Sequence, residues 1–571
     1  MPSLPSSPSR RGRSRGLDAD DARSRRNENK IELRKAKKDE TLAKRRFAQP
    51  ADAAAEEPTD PAAAAADAVA NACSAAAEVP RLASIVHEYV RGGCCGDAAA
   101  ALSTVTRLRK LLSLSGGPPI DECISAGLVP VFIHLLGGAG AVVFEAAWCL
   151  TNIVSGTTDH AKAVVDAGAI PPLLNLVQTS PSVETREQAV WCLSNVAGDC
   201  ASLRDMLLGC GALPSVLSMI EEMATTSQMG PLRNATWRRS GQRRDERRGG
   251  SRHLCSGRPP GRCLSNLVRN KPAPALEHVE RALPTLAKLL SLDDSELMMD
   301  TMWALSHVAE AGGDAADGVV SVGCLPRLVH HLEHAPPSVQ VPALRALANL
   351  LTGSDGATGA VLEAGFLRVV GKFLCSERSR TRKEACWALS NIAAGTAAQI
   401  DQLMATPLLP EVIGLMGRDE FEVKKECLWT VANICHAYSS HPGPHTAYRV
   451  GALVQAGLLE PLVRMLDAND PKVIELAVDA CGHLLGAGEE LARGKGSNPF
   501  VTQFDTVGGV DKLEELQTHP NETVYNKTVK ILDDFFVAEE AEDENLMPHQ
   551  SGGGFLFGAA AAETPATPFV F

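Results

Sequence analysis

Glu145-Ala-Ala-Trp148-Cys-Leu-Thr-Asn152 is the stretch that decides how this chain is built. Trp148 and Asn152 stand four apart, so on a helix they share one face, one turn from each other. The same pair recurs as Trp191/Asn195, Trp387/Asn391 and Trp429/Asn433. The recurrence is periodic: 43 residues separate Asn152 from Asn195, and 42 separate Asn349 from Asn391 and Asn391 from Asn433.

A period of about 40–47 residues with helical apolar patterning is that of HEAT or armadillo repeats. The fold class expected from the period is therefore all-α, a solenoid of HEAT or armadillo repeats. Stacking also answers the length, because 571 residues exceed what one hydrophobic core accommodates, whereas each repeat buries its face only against its neighbours. Aromatic residues make up only 4% of the chain, which suits close-packed Ala/Leu helices, and Trp237 and Trp303 fall in the same series as the other four tryptophans.

The net charge of −12 hides an asymmetry. Residues 23–47 carry eleven Lys/Arg against four Asp/Glu, so this arm is +7 and the rest of the chain is −19. An acidic body with a basic arm points to basic ligands and to self-association of the arm. No apolar run is long enough to span a bilayer, and the Arg/Ser/Pro-rich start lacks the apolar core of a signal peptide. The 16 cysteines include no C-x-x-C pair; most sit at apolar helical positions, such as Cys149 and Cys192, and read as small core residues in a reducing compartment.

In chain order, residues 1–22 read as disordered. Residues 23–47 are good helix formers charged nearly all round, a helix that buries little on its own; composition alone equally allows a solvated helix or a nucleic-acid arm. Residues 48–79, Ala/Pro/Glu-rich, read as a flexible linker. The repeats occupy 80–537, with hinges at Ala126-Gly127-Leu-Val-Pro130 and Ala167-Gly168-Ala-Ile-Pro171, where Gly ends one helix and Pro opens the next. The fourth ladder helix is interrupted: Trp237 is followed by 25 Arg/Gly/Pro-rich residues, 238–262, before Cys263-Leu-Ser-Asn266. Removing them places Asn266 four after Trp237, so the segment is either a translated intron (a gene-model error) or a basic loop. Residues 538–571, an acidic run and then a Gly/Phe tail, read as disordered.

An extended peptide leaves backbone N–H and C=O groups unpaired, and a carboxamide offers both an acceptor and donors. A row of Asn at repeat spacing can hold such a backbone. Neighbouring indoles form slots for the stem of a Lys or Arg, with cation–π attraction of about 0.5–2 kcal/mol each. Acids at the slot ends, Asp199, Glu296, Asp300, Glu384 and Glu426, set the sign of the ligand. A single Trp/Asn pair could merely staple helices; four pairs in phase point to binding. Arg345 in a Trp position and His307 in an Asn position divide the ladder in two.

The run from Arg25 to Arg46 resembles the importin-β-binding domain of the importin α family, and the repeats resemble that family over residues 23–537. The resemblance implies an all-α, right-handed armadillo-repeat superhelix of about ten repeats and a nuclear import adaptor, shuttling between cytoplasm and nucleus, with no catalytic residues and no cofactor. Arg25, Arg26, Lys30, Arg34, Lys35, Lys37 and Lys38 would bind importin β. Lys44, Arg45 and Arg46 would mimic a nuclear localisation signal and occupy the chain's own ladder. The major signal site would comprise Trp148, Asn152, Gly156, Gln188, Trp191, Asn195, Asp199, Trp237, Asn266, Glu296 and Asp300. The minor site would comprise Trp303, Arg345, Asn349, Glu384, Trp387, Ser390, Asn391, Glu426, Trp429 and Asn433. The concave face would take mono- or bipartite basic signals of cargo, and the C-terminal repeats an export receptor of the CAS type; no direct nucleic acid, membrane or metal is implied. Ala161, where the family usually has Thr, and His307, where it usually has Tyr, depart from the pattern. The alternative is a β-catenin-like signalling scaffold, whose groove would be Lys/Arg-lined for acidic tails. No Ser-His-Asp order, phosphate loop or metal spacing supports an enzyme.

Overall fold

A computed structural model describes residues 61–114, 117–228, 259–269, 271–292, 294–493, 496–536, 549–551 and 554–556; the side chains of 61–73, 223–228, Glu296, Tyr438 and the last two segments are not among what it describes. The described chain is almost wholly α-helical, and it divides into two compact units, one ending at Thr406 and the other beginning at Pro407.

Most repeats in the first unit are two short helices followed by a longer one. Ile120–Ser125, Leu128–Leu136 and Ala141–Val154 form one; Thr158–Asp166, Ile170–Thr179 and Val183–Asp199 form the next. The glycine hinges behave as expected. Gly168 has φ +84 with open space where a Cβ would stand, so the left-handed backbone, not crowding, selects glycine there. Pro171 then lies in the first turn of the following helix, where its missing N–H costs nothing.

The long third helices pack one against the next in chain order: Ala98–Leu112, Ala141–Val154, Val183–Asp199, Pro259–Leu267, Ser295–Ala311, Pro337–Leu350 and Ser379–Ala393. Their inner faces, Leu108, Leu150, Leu193, Leu264, Leu305, Leu347 and Leu389, are all 1% exposed or less and form the continuous core of the unit. In the second unit Phe421–Ser440, Pro471–Ala492 and Glu522–Phe535 pack in the same succession. No disulfide joins the described cysteines. Burial in the core pushes the Cys192 thiol up to about 12, so it is an inert apolar residue at neutral pH.

Three expectations are corrected. The linker expected over 48–79 is helical from Pro61, in a helix that runs to Arg91. Five consecutive alanines favour that helix, and Val79, Leu82 and Val86 anchor it by burial against Ala98–Leu112. The irregular segment expected over 238–262 ends earlier, because Pro259, Pro260, Gly261 and Arg262 form the first turn of the helix that carries Asn266. Proline is tolerated there because first-turn N–H groups have no intrahelical partner. In the tail, expected to be disordered, His549–Ser551 pairs antiparallel with Gly554–Leu556.

Candidate functional site

The ladder asparagines bind backward. Asn349 Nδ2 donates to the Ser306 carbonyl oxygen at 2.8 Å, one repeat earlier. Asn266 does the same to Ser194 at 2.8 Å, Asn195 to Thr151 at 3.4 Å and Asn391 to Ala348 at 3.3 Å. Asn152 donates to Ser113 Oγ at 2.9 Å. Each amide therefore staples its helix to the one before, so the packing role is real. It is not the whole role, because the carbonyl oxygens of Asn152, Asn195 and Asn266 accept no hydrogen bond from described residues and are not sealed from solvent.

The tryptophans stand on the same faces. Trp148, Trp191 and Trp303 are half-buried, which leaves part of each indole open, while Trp387 is 6% exposed. Phe144 meets Trp148 edge to face with centroids 5.6 Å apart, fixing the first indole. His307, in the Asn position, stacks on Trp303 at 6.1 Å.

An arginine of one repeat engages the acid and the indole of the next. Arg109 Nε lies 2.8 Å from Glu145 Oε2, with Cζ 4.4 Å from the Trp148 ring centroid. Arg345 lies 2.8 Å from Glu384, with Cζ 5.4 Å from the Trp387 centroid. Each puts a planar cation over an indole with a carboxylate at its end. Sequence reading missed Arg109 and Glu145 as a pair, although an acid three before the Trp recurs at Asp300/Trp303, Glu384/Trp387 and Glu426/Trp429.

The remaining expected residues sort by environment. Gln188 is 5% exposed and ties two ladder helices through Thr151 Oγ1 at 2.8 Å. Ser390 is fully buried, bonded to the Trp387 carbonyl oxygen at 2.9 Å. A Cβ on Gly156 would stand 2.3 Å from His160 Nδ1. His160 closes a capping box on Thr157 and reaches Asp121 Oδ1 at 2.8 Å, so Gly156 makes room for that cap. Ala161 is fully buried and has no polar side-chain atom to orient Asp199. Asp199 is the half-buried last residue of its helix, and Asp300 is 7% exposed. Trp237 and the side chain of Glu296 lie outside the described residues, as do Arg25, Arg26, Lys30, Arg34, Lys35, Lys37, Lys38, Lys44, Arg45 and Arg46.

In the second unit Trp429, Asn433 and Glu426 are half-buried on one long helix. One repeat on, Asp479 and His483 take the ladder positions. There Lys527 Nζ bonds Asp479 Oδ2 at 2.7 Å and Glu475 Oε1 at 2.8 Å, so the last helix fills this acidic slot with the chain's own ammonium. His436 packs on His483 at 5.4 Å. Burial, and then the charges of His436 and Lys527, push His483 down to about 4. Among the described residues no cluster of His, Cys, Asp and Glu could hold a metal ion, and no single helix is long and apolar enough to cross a membrane.

Comparison with known proteins agrees with this geometry. Residues 13–89 match the importin beta binding domain. Residues 118–155, 157–198, 319–352 and 354–394 match the armadillo/beta-catenin-like repeat, and 498–549 an atypical Arm repeat. The chain is 36% identical to importin subunit alpha-3 of Arabidopsis thaliana over 550 residues, covering 95% of this chain and 94% of that one. It is 37% identical to importin subunit alpha-B of Dictyostelium discoideum over 543 residues, covering 95% of each. A crystal structure of an engineered protein from the Northeast Structural Genomics Consortium is similar with a TM-score of 0.65 at 25% identity, covering 80% of this chain and 98% of that one. Near-complete reciprocal coverage at this identity, with an importin beta binding domain ahead of armadillo repeats, means that the chain belongs to the importin α family.

Proposed function

We propose that this chain is a nuclear import adaptor and not an enzyme, one that holds basic localisation signals of cargo on its ladder and joins them to importin β through residues 23–47. The observation that carries the reading is the adjacency of Trp148/Asn152 and Trp191/Asn195 on two packed helices, with Asp199 at the end of the second. Two half-buried indoles on adjacent helices offer apolar faces to the stem of a basic side chain, and a carboxamide oxygen can accept a backbone N–H bond from an extended peptide. Asp199 ends its helix, where the peptide dipoles disfavour a carboxylate, and an incoming lysine ammonium relieves that. Arg345, Asn349, Glu384, Trp387, Ser390 and Asn391 carry the second set of positions in the first unit, and Glu426, Trp429 and Asn433 repeat the motif in the second.

Lys44, Arg45 and Arg46 serve as the internal competitor. The first described helix starts at Pro61, and residues 47–60 lie between them and it; fully extended, these 14 residues reach at most about 50 Å. Cargo release follows when importin β gives up the arm and this segment returns. The C-terminal repeats take an export receptor of the CAS type, and the protein shuttles between cytoplasm and nucleus.

The test is a calorimetric titration with a Lys-rich peptide and with an acidic one. The adaptor reading expects the basic peptide to bind and Asp199→Lys to weaken it by about 100-fold, since a like charge replaces the attracting one in a desolvated slot. Preference for the acidic peptide would favour the β-catenin-like scaffold instead.

A further inference from the structure

The second unit holds a cavity whose walls include none of the ladder residues. Its volume is about 460 Å³, and it lies where the end of Leu408–Arg418 meets the start of Phe421–Ser440 and the turn Met465–Asp467. Met416, Phe421, Met465 and Ala468 give it an apolar lining. Met416 and Met465 are buried, whereas Phe421 is 42% exposed on the first turn of its helix. The Phe421 ring continues a buried apolar floor, which sets it apart from the single exposed apolar residues common on any surface. The two thioethers are flexible enough to adapt to a guest. Three charged groups of the rim are already paired within the chain: Arg464 with Glu460, Asp467 with Lys512 at 3.0 Å, and Asp470 with Lys425 at 3.5 Å. Two polar groups are not. The half-buried Lys424 ammonium and the exposed Asn469 carboxamide have no hydrogen bond or ion pair among the described residues. Lys424 is three after Phe421, so both stand on one face of the helix, about 5–6 Å apart at Cβ. Glu420, just ahead of Phe421, is exposed and outside the lining.

We propose that this cavity binds a partner protein different in kind from a basic signal: an extended segment that seats one bulky apolar side chain against Met416, Phe421 and Met465 and, two residues away, sets a carboxylate on Lys424. The spacing follows from geometry. In an extended chain, residues two apart point to the same side and lie about 6.6 Å apart, which matches the separation of Phe421 and Lys424. The volume is at the low end of the roughly 300–1,000 Å³ of ligand pockets, so it takes an anchor side chain and not a helix. Lys424 sets the sign. An apolar anchor docked beside it strips water from an ammonium that has no counter-charge in the chain, a cost that a ligand carboxylate removes and a ligand lysine increases. The Asn469 carboxamide, which both donates and accepts, can pair with the backbone of the segment. The ladder and this cavity therefore take ligands of opposite charge.

The experiment uses the full chain and two fluorescent peptides, Gly-Glu-Ser-Phe-Ser-Glu-Gly and the same peptide with Gln for each Glu, read by anisotropy at low salt. Wild type is expected to favour the glutamate peptide by about five-fold, the scale of one surface charge pair. Lys424→Gln is expected to abolish that preference, and Phe421→Ala to weaken both peptides several-fold, with circular dichroism unaltered in each. Both positions reach solvent, so neither variant opens the core. A glutamate preference that survives Lys424→Gln overturns the inference, because the basic arm is then the binder. Unchanged affinity in Phe421→Ala, or no binding of either peptide to wild type, also overturns it. If replacing Leu546 and Met547 by serine tightens the glutamate peptide, the chain's own acidic tail holds the cavity and the partner is overturned. A Lys-rich peptide titrated in parallel reports the ladder, so failure here is distinguishable from failure of the import reading.

Discussion

Asn349 is 1% exposed, and its amide spends a 2.8 Å hydrogen bond on the carbonyl of Ser306, 43 residues earlier. The ladder that is proposed to hold a peptide backbone is thus first a set of bonds between successive repeats. Asn349→Ala should cost about 1–3 kcal/mol, from the loss of this inter-repeat hydrogen bond and of the packing of a buried side chain. Asn266→Ala, at a half-buried position, should cost less. Urea unfolding followed by circular dichroism measures both; equal effects at the two sites would contradict the burial argument.

Arg345 sits on the carboxylate and indole proposed for a ligand cation, 2.8 Å from Glu384 and 5.4 Å from the Trp387 centroid. Arg345→Ala removes this internal competitor and one positive charge. A Lys-rich peptide directed to this half of the ladder should bind several-fold more tightly, with a small drop in the thermal midpoint as Glu384 loses its partner. Weaker binding would mean that Arg345 holds the slot open and does not fill it.

His483 in the second unit makes stability depend on pH in a defined direction. Its folded value of about 4 lies below the ordinary 6.5, so between these limits the unfolded chain binds the proton and the folded chain does not. Stability is therefore lost as pH falls from about 6.5 towards 4, by an amount of about 2–3 kcal/mol for a displacement of this size. His483→Gln should flatten that limb, read as the difference between wild type and variant in urea unfolding at pH 7 and pH 5. An identical pH dependence would show that the ring protonates without opening the fold. Asp479 shifts upward through burial, in spite of Lys527, and contributes the opposite slope in both proteins, so the difference isolates His483.

The self-inhibition proposal is tested by removing the arm. The helix from Pro61 buries Val79, Leu82 and Val86, so the cut belongs at residue 60, ahead of that helix. A chain lacking residues 1–60 should bind basic peptides several-fold more tightly than the full chain and should keep its thermal midpoint. Unchanged affinity would sink the proposal.

What the sequence determined by itself was everything local to one helix: the Trp/Asn pairs one turn apart, the 42–43-residue period, the glycine and proline at each hinge, and the basic arm. A motif inside one helix keeps its geometry wherever that helix is placed, and a repeat fold multiplies the signal. Tertiary structure alone decided which neighbour each side chain meets across a repeat. Asn349 with Ser306, Arg109 with Glu145, and Lys527 with Asp479 are pairs 36 to 48 residues apart, and no pattern within a helix specifies them. It also decided that the helix ahead of Asn266 begins at Pro259. The register of that turn is set by Gly261 packing on Leu297 and Asp300, so Arg262, unremarked in an Arg-rich stretch, occupies the ladder position four before Asn266.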